Sequence, residues 1–227
     1  MASKRIGVIG GTGALGSGLA LRLAAAGHQV LIGSRDPQRG PETAAELTAL
    51  LDARGRTGVI EAADYETVSE RSEIVIMAVR FAHQRETVAA IAPYLADKIL
   101  IDTTVPLVPP KVMRVQLPAE GSAAQITQAL AGDAVKVVSA FQSVAAHHLR
   151  EDGEIPCDVI VTGDDKAARE EVIALSESIG ITALHGGPLC NAAAAEALTS
   201  VLIFINKEFG AHSGIRITGV ENGAVRA

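Results

Sequence analysis

Residues Gly11-Thr12-Gly13-Ala14-Leu15-Gly16 place glycines in the order G-x-G-x-x-G. A residue without a side chain permits a tight turn and lets the backbone approach a pyrophosphate. A helix opening behind that turn offers free N–H groups and a positive dipole end to phosphate oxygens. The pattern alone is weak, because glycines punctuate many loops. Here it follows the apolar run Arg5-Ile6-Gly7-Val8-Ile9 and leads into Leu15, Leu19 and Leu23, the stripe of one helix face. At the end of the second strand, NAD binders place Asp or Glu for the ribose 2′-hydroxyl. This chain has Gly33-Ser34-Arg35 there, with Asp36 next and Arg39 beyond. A carboxylate at the strand tip would repel a 2′-phosphate, whereas a hydroxyl and a planar guanidinium suit that dianion. These residues predict an NADP(H) site.

Other reactive side chains give weaker patterns. His147-His148 lie beyond the sixth strand, but neighbours on a helix point about 100° apart and do not chelate together. His83, in the loop after the fourth strand, is the better-placed acid–base candidate. His28, His185 and His212 show no partner in the sequence. The two cysteines, Cys157 and Cys190, exclude a disulfide scaffold, lack metal spacing and are read as buried inert thiols. Asp164-Asp165 resembles a metal pair, yet Asp165, after Gly163 and before a helix, reads as an N-cap. No metal site is expected.

The elements that must position these residues alternate strand and helix. Strands are expected at Arg5–Ile9, Gln29–Ile32, Thr57–Glu61, Ile74–Val79, Ile99–Asp102 and Val135–Ala140. Helices are expected behind the glycine turn to Gly27 and over Pro41–Ala53, Glu86–Leu95 and Ser122–Leu130. Beyond them, Asp158–Val161 and Ile181–Leu184 are read as strands, and Lys166–Ile179 and Ala192–Phe209 as helices. The last eighteen residues are expected to be irregular. The fold class is α/β, a Rossmann-type doubly wound, mainly parallel sheet with a small C-terminal extension. We expect a single domain over 1–227, with a Rossmann core at 1–150 and an extension with a capping helix at 151–227.

Composition narrows the function classes. Aromatic residues make up 3% of the 227, with no Trp, which disfavours a stacking platform for single-stranded nucleic acid. Twenty basic residues stand against twenty-six acidic, without a Lys/Arg cluster, so no nucleic-acid footprint appears. No signal-peptide core and no apolar run near membrane length is apparent, which points to a cytoplasmic protein without a membrane partner. The helix at Ala192–Phe209 is apolar on more than one face, which suggests a homodimer interface.

The blocks Gly10-Gly11-Thr12-Gly13, Gly18 to Leu23, Gly27-His28 and Gly33-Ser34-Arg35 resemble the NADPH-dependent coenzyme F420 reductases, also called F420-dependent NADP oxidoreductases. Matches continue through Pro106-Leu107-Val108, Ser122-Ala123-Ala124, Val137 to Ala140, Gly163-Asp164-Asp165, Gly187-Pro188-Leu189, Asn191, Glu196, Leu198-Thr199 and Gly214-Ile215-Arg216. The resemblance covers nearly all the chain. It implies hydride transfer between NADP(H) and the deazaflavin coenzyme F420. It also implies cofactor contacts at Gly11, Thr12, Gly13, Ala14, Leu15, Ser34, Arg35, Arg39, Val79, Arg80, Phe81, His83, Ala146 and Ser213. The chain departs from the family pattern at Val79-Arg80-Phe81, where Ile-Pro-Trp is found, and at Gln142-Ser143, where His and Thr are found. Hydride transfer asks for ring carbons about 3–3.5 Å apart and aligned, not for a catalytic triad. Two other readings fit an NADP site: an NADP-dependent imine or carbonyl reductase, which would need an acid such as Lys111, Lys136 or Lys207, and a non-catalytic NADP-sensing module.

Overall fold

Successive residues of the central strands point to opposite faces, and both faces are covered. In β1 (Arg5–Ile9), Ile6 and Val8 enter one apolar cluster and Ile9 the other; in β4 (Ile74–Met77), Ile74 and Ile76 oppose Val75 and Met77 in the same way. A continuous apolar run is what a strand buried on both faces requires. The first cluster is closed by α1 (Ala14–Ala25), α2 (Arg39–Ala53), α6 (Ala146–Arg150) and α7 (Lys166–Ser178). The second is closed by α3 (Tyr65–Arg71), α4 (Phe81–Ile91), α5 (Ala123–Ala131) and the start of α8 (Ala192–Phe209). The computed structural model describes residues 2–220.

The sheet is completed by β2 (Gln29–Gly33), β3 (Val59–Ala63), β5 (Ile99–Asp102), β6 (Lys136–Ser139), β7 (Asp158–Gly163) and β8 (Thr182–Gly187), in the order β3-β2-β1-β4-β5-β6-β7-β8. Every described pair is parallel except β6 with β7. The α/β, doubly wound reading holds, and β7 and β8 are the extension of the same sheet. Between β6 and β7 the chain forms only the five-residue helix α6, about 7–8 Å long, and β7 starts at the edge where β6 ends.

The structure corrects several expectations. Two helices were missed, α3 and α6. The fourth helix begins at Phe81 rather than Glu86, so His83 sits in its first turn and not in a loop. The third strand lies two residues later than expected, at Val59–Ala63. Cys157 is buried, and burial pushes its thiol up to about 11, but Cys190 is exposed on a short turn before α8. His28 is not partnerless: it is buried, with Nδ1 accepting from Lys4 N–H at 3.3 Å and Nε2 3.3 Å from Ser178 Oγ. Together with that preceding turn, Leu189–Phe209 is long and apolar enough to cross a membrane by length and composition. It is not an unbroken apolar run, because Glu196, Thr199 and Ser200 interrupt it. Residues 210–220 form no helix or strand, as expected of the tail; 221–227 lie outside the described residues.

The short α6 is fastened from α1. The Arg22 guanidinium donates to the carbonyls of His148, Leu149, Glu151 and Gly153 at 2.6–3.0 Å, satisfying the helix's C-terminal acceptors. The tail is fastened as well. Asn206 Oδ1 accepts from Ser213 N–H and Oγ–H at 2.6 Å, and Asp158 N–H donates to Ile215 carbonyl at 2.7 Å.

Candidate nucleotide site

The strand order reverses between β1 and β4, the point at which open α/β sheets take ligands. A cleft of about 360 Å³ lies there. It is lined by Gly10, Thr12 and Gly13 after β1, Ser34, Arg35, Asp36 and Arg39 after β2, Tyr65 on α3, and Ala78, Val79, Arg80, His83 and Thr87 at β4 and α4. Of the residues singled out in the sequence, eight line it: Thr12, Gly13, Ser34, Arg35, Arg39, Val79, Arg80 and His83. Gly11 is buried beneath the turn, Ala14 is exposed at the start of α1, and half-buried Leu15 packs on the first core cluster. Phe81 opens α4 beside the cleft. Ala146 opens α6, and Ser213 is held by Asn206 in the tail; neither lines this cleft.

The helix starts differ in how they are capped. Asp64, Ser122 and Asp165 accept from backbone N–H groups at the starts of α3, α5 and α7, at 2.7, 3.1 and 2.7 Å. Asp165 is therefore the N-cap expected, while Asp164 accepts from Leu189 N–H at 2.9 Å. No side chain caps α1, where Gly13 is the N-cap, or α4, where Arg80 is. Apart from His83 N–H, which donates to Arg80 carbonyl at 2.8 Å, their first N–H groups have no side-chain acceptor, which is what a phosphate needs.

The charges fit a 2′-phosphate rather than a free ribose. Asp36 is committed to the backbone: its Oδ1 accepts from Gln38 and Arg39 N–H at 2.9 and 3.2 Å, and these two bonds hold its carboxyl below the usual range. Ser34 Oγ accepts from Asp36 N–H at 3.1 Å, which leaves its own proton to give. Arg35, Arg39 and Arg80 are exposed at the cleft. The sequence predicted Ser34, Arg35 and Arg39; it did not reveal that Asp36 is committed, nor that Tyr65 forms part of the wall.

Behind the carboxyl edge runs a buried polar spine. Asp102, at the end of β5, accepts from Thr104 N–H, Thr127 Oγ–H and Gln84 Nε2–H at 2.6–2.9 Å, and burial raises its pKa. Gln142 is part of this spine: its Nε2 donates to Asp102 carbonyl and Ser139 Oγ at 2.9 and 2.7 Å, and Thr199 Oγ–H bonds its carbonyl at 2.9 Å. Gln142 is thus a clasp between β5, β6 and α8, its amide holding the strands and its backbone carbonyl the helix. Glu196 of α8 caps α5, accepting from Ala123 and Ala124 N–H at 2.7 and 3.0 Å.

Burial, and secondarily Asp102, push Glu196 up from 4.5 to about 7, against the pull of the two N–H groups. The folded chain thus holds a proton that the unfolded chain releases between 4.5 and about 7. This contribution is complete below about pH 4.5 and lost by about pH 7, up to about 3 kcal/mol. Denaturant titrations from pH 5 to 7.5 should show stability falling with pH, with a shallower fall in Glu196→Gln. Equal slopes in the two proteins would show that Glu196 is ionised throughout.

Three further histidines gather elsewhere. Glu151 pairs with His147 and His148 at 3.1 and 3.2 Å, and the His212 ring lies 4.7 Å from that of His147. His212 thus has neighbours that the sequence did not show. No group of three or more His, Cys, Asp or Glu suited to a metal ion occurs among the described residues. Lys136 pairs with Asp165 at 3.7 Å, and none of Lys111, Lys136 and Lys207 lines the cleft.

Comparison with known proteins places this geometry in a family. The profile described as NADP oxidoreductase coenzyme F420-dependent matches residues 5–106. The F420-dependent NADP reductase of Methanocaldococcus jannaschii is 34% identical, the alignment covering 96% of this chain and 99% of the relative. The enzyme of the same name from Methanothermobacter thermautotrophicus is 36% identical over 95% of each. A solved structure from Arthrobacter sp. FB24, provisionally described as an F420-dependent NADP-reductase, superposes with a TM-score of 0.76 at 29% identity, over 92% of this chain and 96% of that one. Plasmodium falciparum pyrroline carboxylate reductase shares the fold alone, at 17% identity and a TM-score of 0.55, over 80% of this chain and 57% of that one. With near-complete alignment at 34–36% identity, the chain belongs to the F420-dependent NADP reductase family.

Proposed function

We propose that this protein transfers a hydride between NADP(H) and coenzyme F420, and that the cleft at β1 and β4 is its NADP(H) site. The observation that carries the nucleotide assignment is the pairing of two uncapped helix starts at the cleft with an arginine-bearing strand tip whose only adjacent carboxylate, Asp36, is engaged by the backbone N–H groups of Gln38 and Arg39. When bound, the two cofactors supply the hydride donor and acceptor carbons. The chain's residues bind and orient. Gly11, Thr12, Gly13, Ala14 and Leu15 present the turn to the pyrophosphate, Ser34, Arg35 and Arg39 take the 2′-phosphate, and Val79, Arg80, Phe81 and His83 form the opposite wall. Half-buried Val79, Phe81, Ala145 and Ala146 offer apolar surface where β4 and β6 end, suited to flat rings. Ala146 and Ser213 join the site on the F420 side of that edge.

The test is the loss of F420 absorbance on mixing with NADPH and, separately, with NADH. Rapid loss with NADPH and slow loss with NADH is expected. No loss with either, alongside turnover of a cyclic imine or a carbonyl compound, would replace the reading with that of an NADP-dependent reductase. Nucleotide binding without any turnover would leave a sensing module.

The same proposal includes a single domain over 1–227, a cytoplasmic location and a homodimer. Val201, Phe204 and Phe209 of α8 are 43, 54 and 76% exposed, an apolar face that a second copy would cover. Sedimentation at micromolar concentration should give twice the chain mass, and Phe204→Glu should return it to one. A monomeric wild type would remove the dimer from the proposal.

A further inference from the structure

Tyr65 occupies a place that the sequence did not mark. It is the first residue of α3, set there by Asp64, whose carboxylate accepts from Thr67 N–H at 2.7 Å. Its half-buried ring packs on the second core cluster. The ring lies against Gly33, the last residue of β2: a Cβ built there would come within 2.9 Å of the Tyr65 ring and 3.2 Å of Ile9 Cδ1. Ser34 and Arg35 follow directly, so the absent side chain at Gly33 brings an aromatic ring up against the strand tip that carries the arginine.

Tyr65 and Arg35 line the same cleft. Burial raises the Tyr65 pKa above the ordinary phenol value while the Arg35 guanidinium opposes the rise, so at neutral pH the group is an uncharged hydroxyl beside a fixed cation. Such a hydroxyl accepts a hydrogen bond from the guanidinium. An exposed arginine otherwise surrenders much rotamer freedom when it binds a ligand, and a partner that holds it beforehand reduces that loss.

We propose that Tyr65 is a positioning residue for Arg35, and thereby a determinant of NADP over NAD preference. The inference rests on the NADP(H) reading of the cleft. Its discriminating variant is Tyr65→Phe, which keeps the ring on Gly33 and removes only the hydroxyl.

The expected result is a three- to tenfold rise in KM for NADPH, the range of one hydrogen bond, with kcat and both NADH constants unchanged. Calorimetric titration with 2′,5′-ADP should weaken by the same factor, while 5′-ADP binding stays the same. In an Arg35→Ala background, Tyr65→Phe should have no further effect, since the two side chains act as one unit. Parallel losses for NADPH and NADH, or for 2′,5′-ADP and 5′-ADP, would overturn the proposal and leave the ring a structural role. Additive losses in the double variant would overturn it too, because Tyr65 would then act on the nucleotide independently of Arg35. A wild-type protein that binds 2′,5′-ADP no more tightly than 5′-ADP would refute the NADP(H) reading itself, and this inference with it.

Discussion

Replacing Arg35 by Ala should lower kcat/KM for NADPH roughly ten- to a hundredfold and leave NADH use almost unchanged. A charge-assisted, bidentate contact between guanidinium and phosphate contributes about 1.5–3 kcal/mol, and about 1.4 kcal/mol is a factor of ten. The guanidinium is exposed at the mouth of the cleft, and Tyr65 and Asp36 do not depend on it for their backbone bonds, so the variant should fold normally. NADH carries no phosphate at that position and has nothing to lose. Ser34→Ala should act in the same direction but less, because its hydroxyl is a neutral donor. Steady-state kinetics with both nucleotides decide the matter. Equal losses for the two would mean that Arg35 supports the fold or the adenine, and the 2′-phosphate assignment would fall.

The glycine turn should separate into a residue that the fold needs and one that the ligand needs. A Cβ on Gly16 would lie 2.5 Å from Gly10 carbonyl oxygen and 3.0 Å from Gly11 Cα, both backbone atoms that cannot swing aside. Gly16→Ala should therefore cost about 3 kcal/mol, the upper end for overpacking, and lower Tm by about 6–12 °C for a chain of this size. Gly13 is different. Its φ of −80° suits any residue, and a Cβ there would meet only Gly10 oxygen, at 3.3 Å. Gly13→Ala should keep Tm within a degree or two, yet raise KM for NADPH at least tenfold by placing a methyl where the pyrophosphate must approach. Unchanged KM in a stable Gly13→Ala protein would move the phosphates away from this turn.

The sequence made the fold legible wherever burial imposed a clear period. The both-faces-buried run at Ile74, the stripe of Leu15, Leu19 and Leu23, and the apolar length of Ala192–Phe209 lie where they were expected. Helix α3 was missed because only Val68 and Ser69 of its seven residues are buried, too few to form a stripe. The start of α4 was placed late because its inward face carries Gln84 and Thr87, polar side chains that enter the buried spine or the cleft instead of the apolar core. The reversal of β7 left no trace, since alternation and apolar runs do not encode strand direction. In the site, the glycine turn and the β2 tip were local in sequence and therefore readable. Tyr65 reaches Arg35 across thirty positions through a contact on a glycine, and Gln142 spends its amide on the end of β5. Contacts of that kind exist only once the sheet has formed.

The bare starts of α1 and α4 have a consequence for how the protein moves. Backbone N–H groups without acceptors leave a helix end free to fray, so these two turns belong to the parts of the molecule that open at low free energy and exchange their amide hydrogens soonest. A bound dinucleotide would supply the missing acceptors and slow that exchange at both ends together. The nucleotide would thus serve the apoprotein as a cap, and its dissociation would return two helices, on opposite faces of the sheet, to the same loosened state at once.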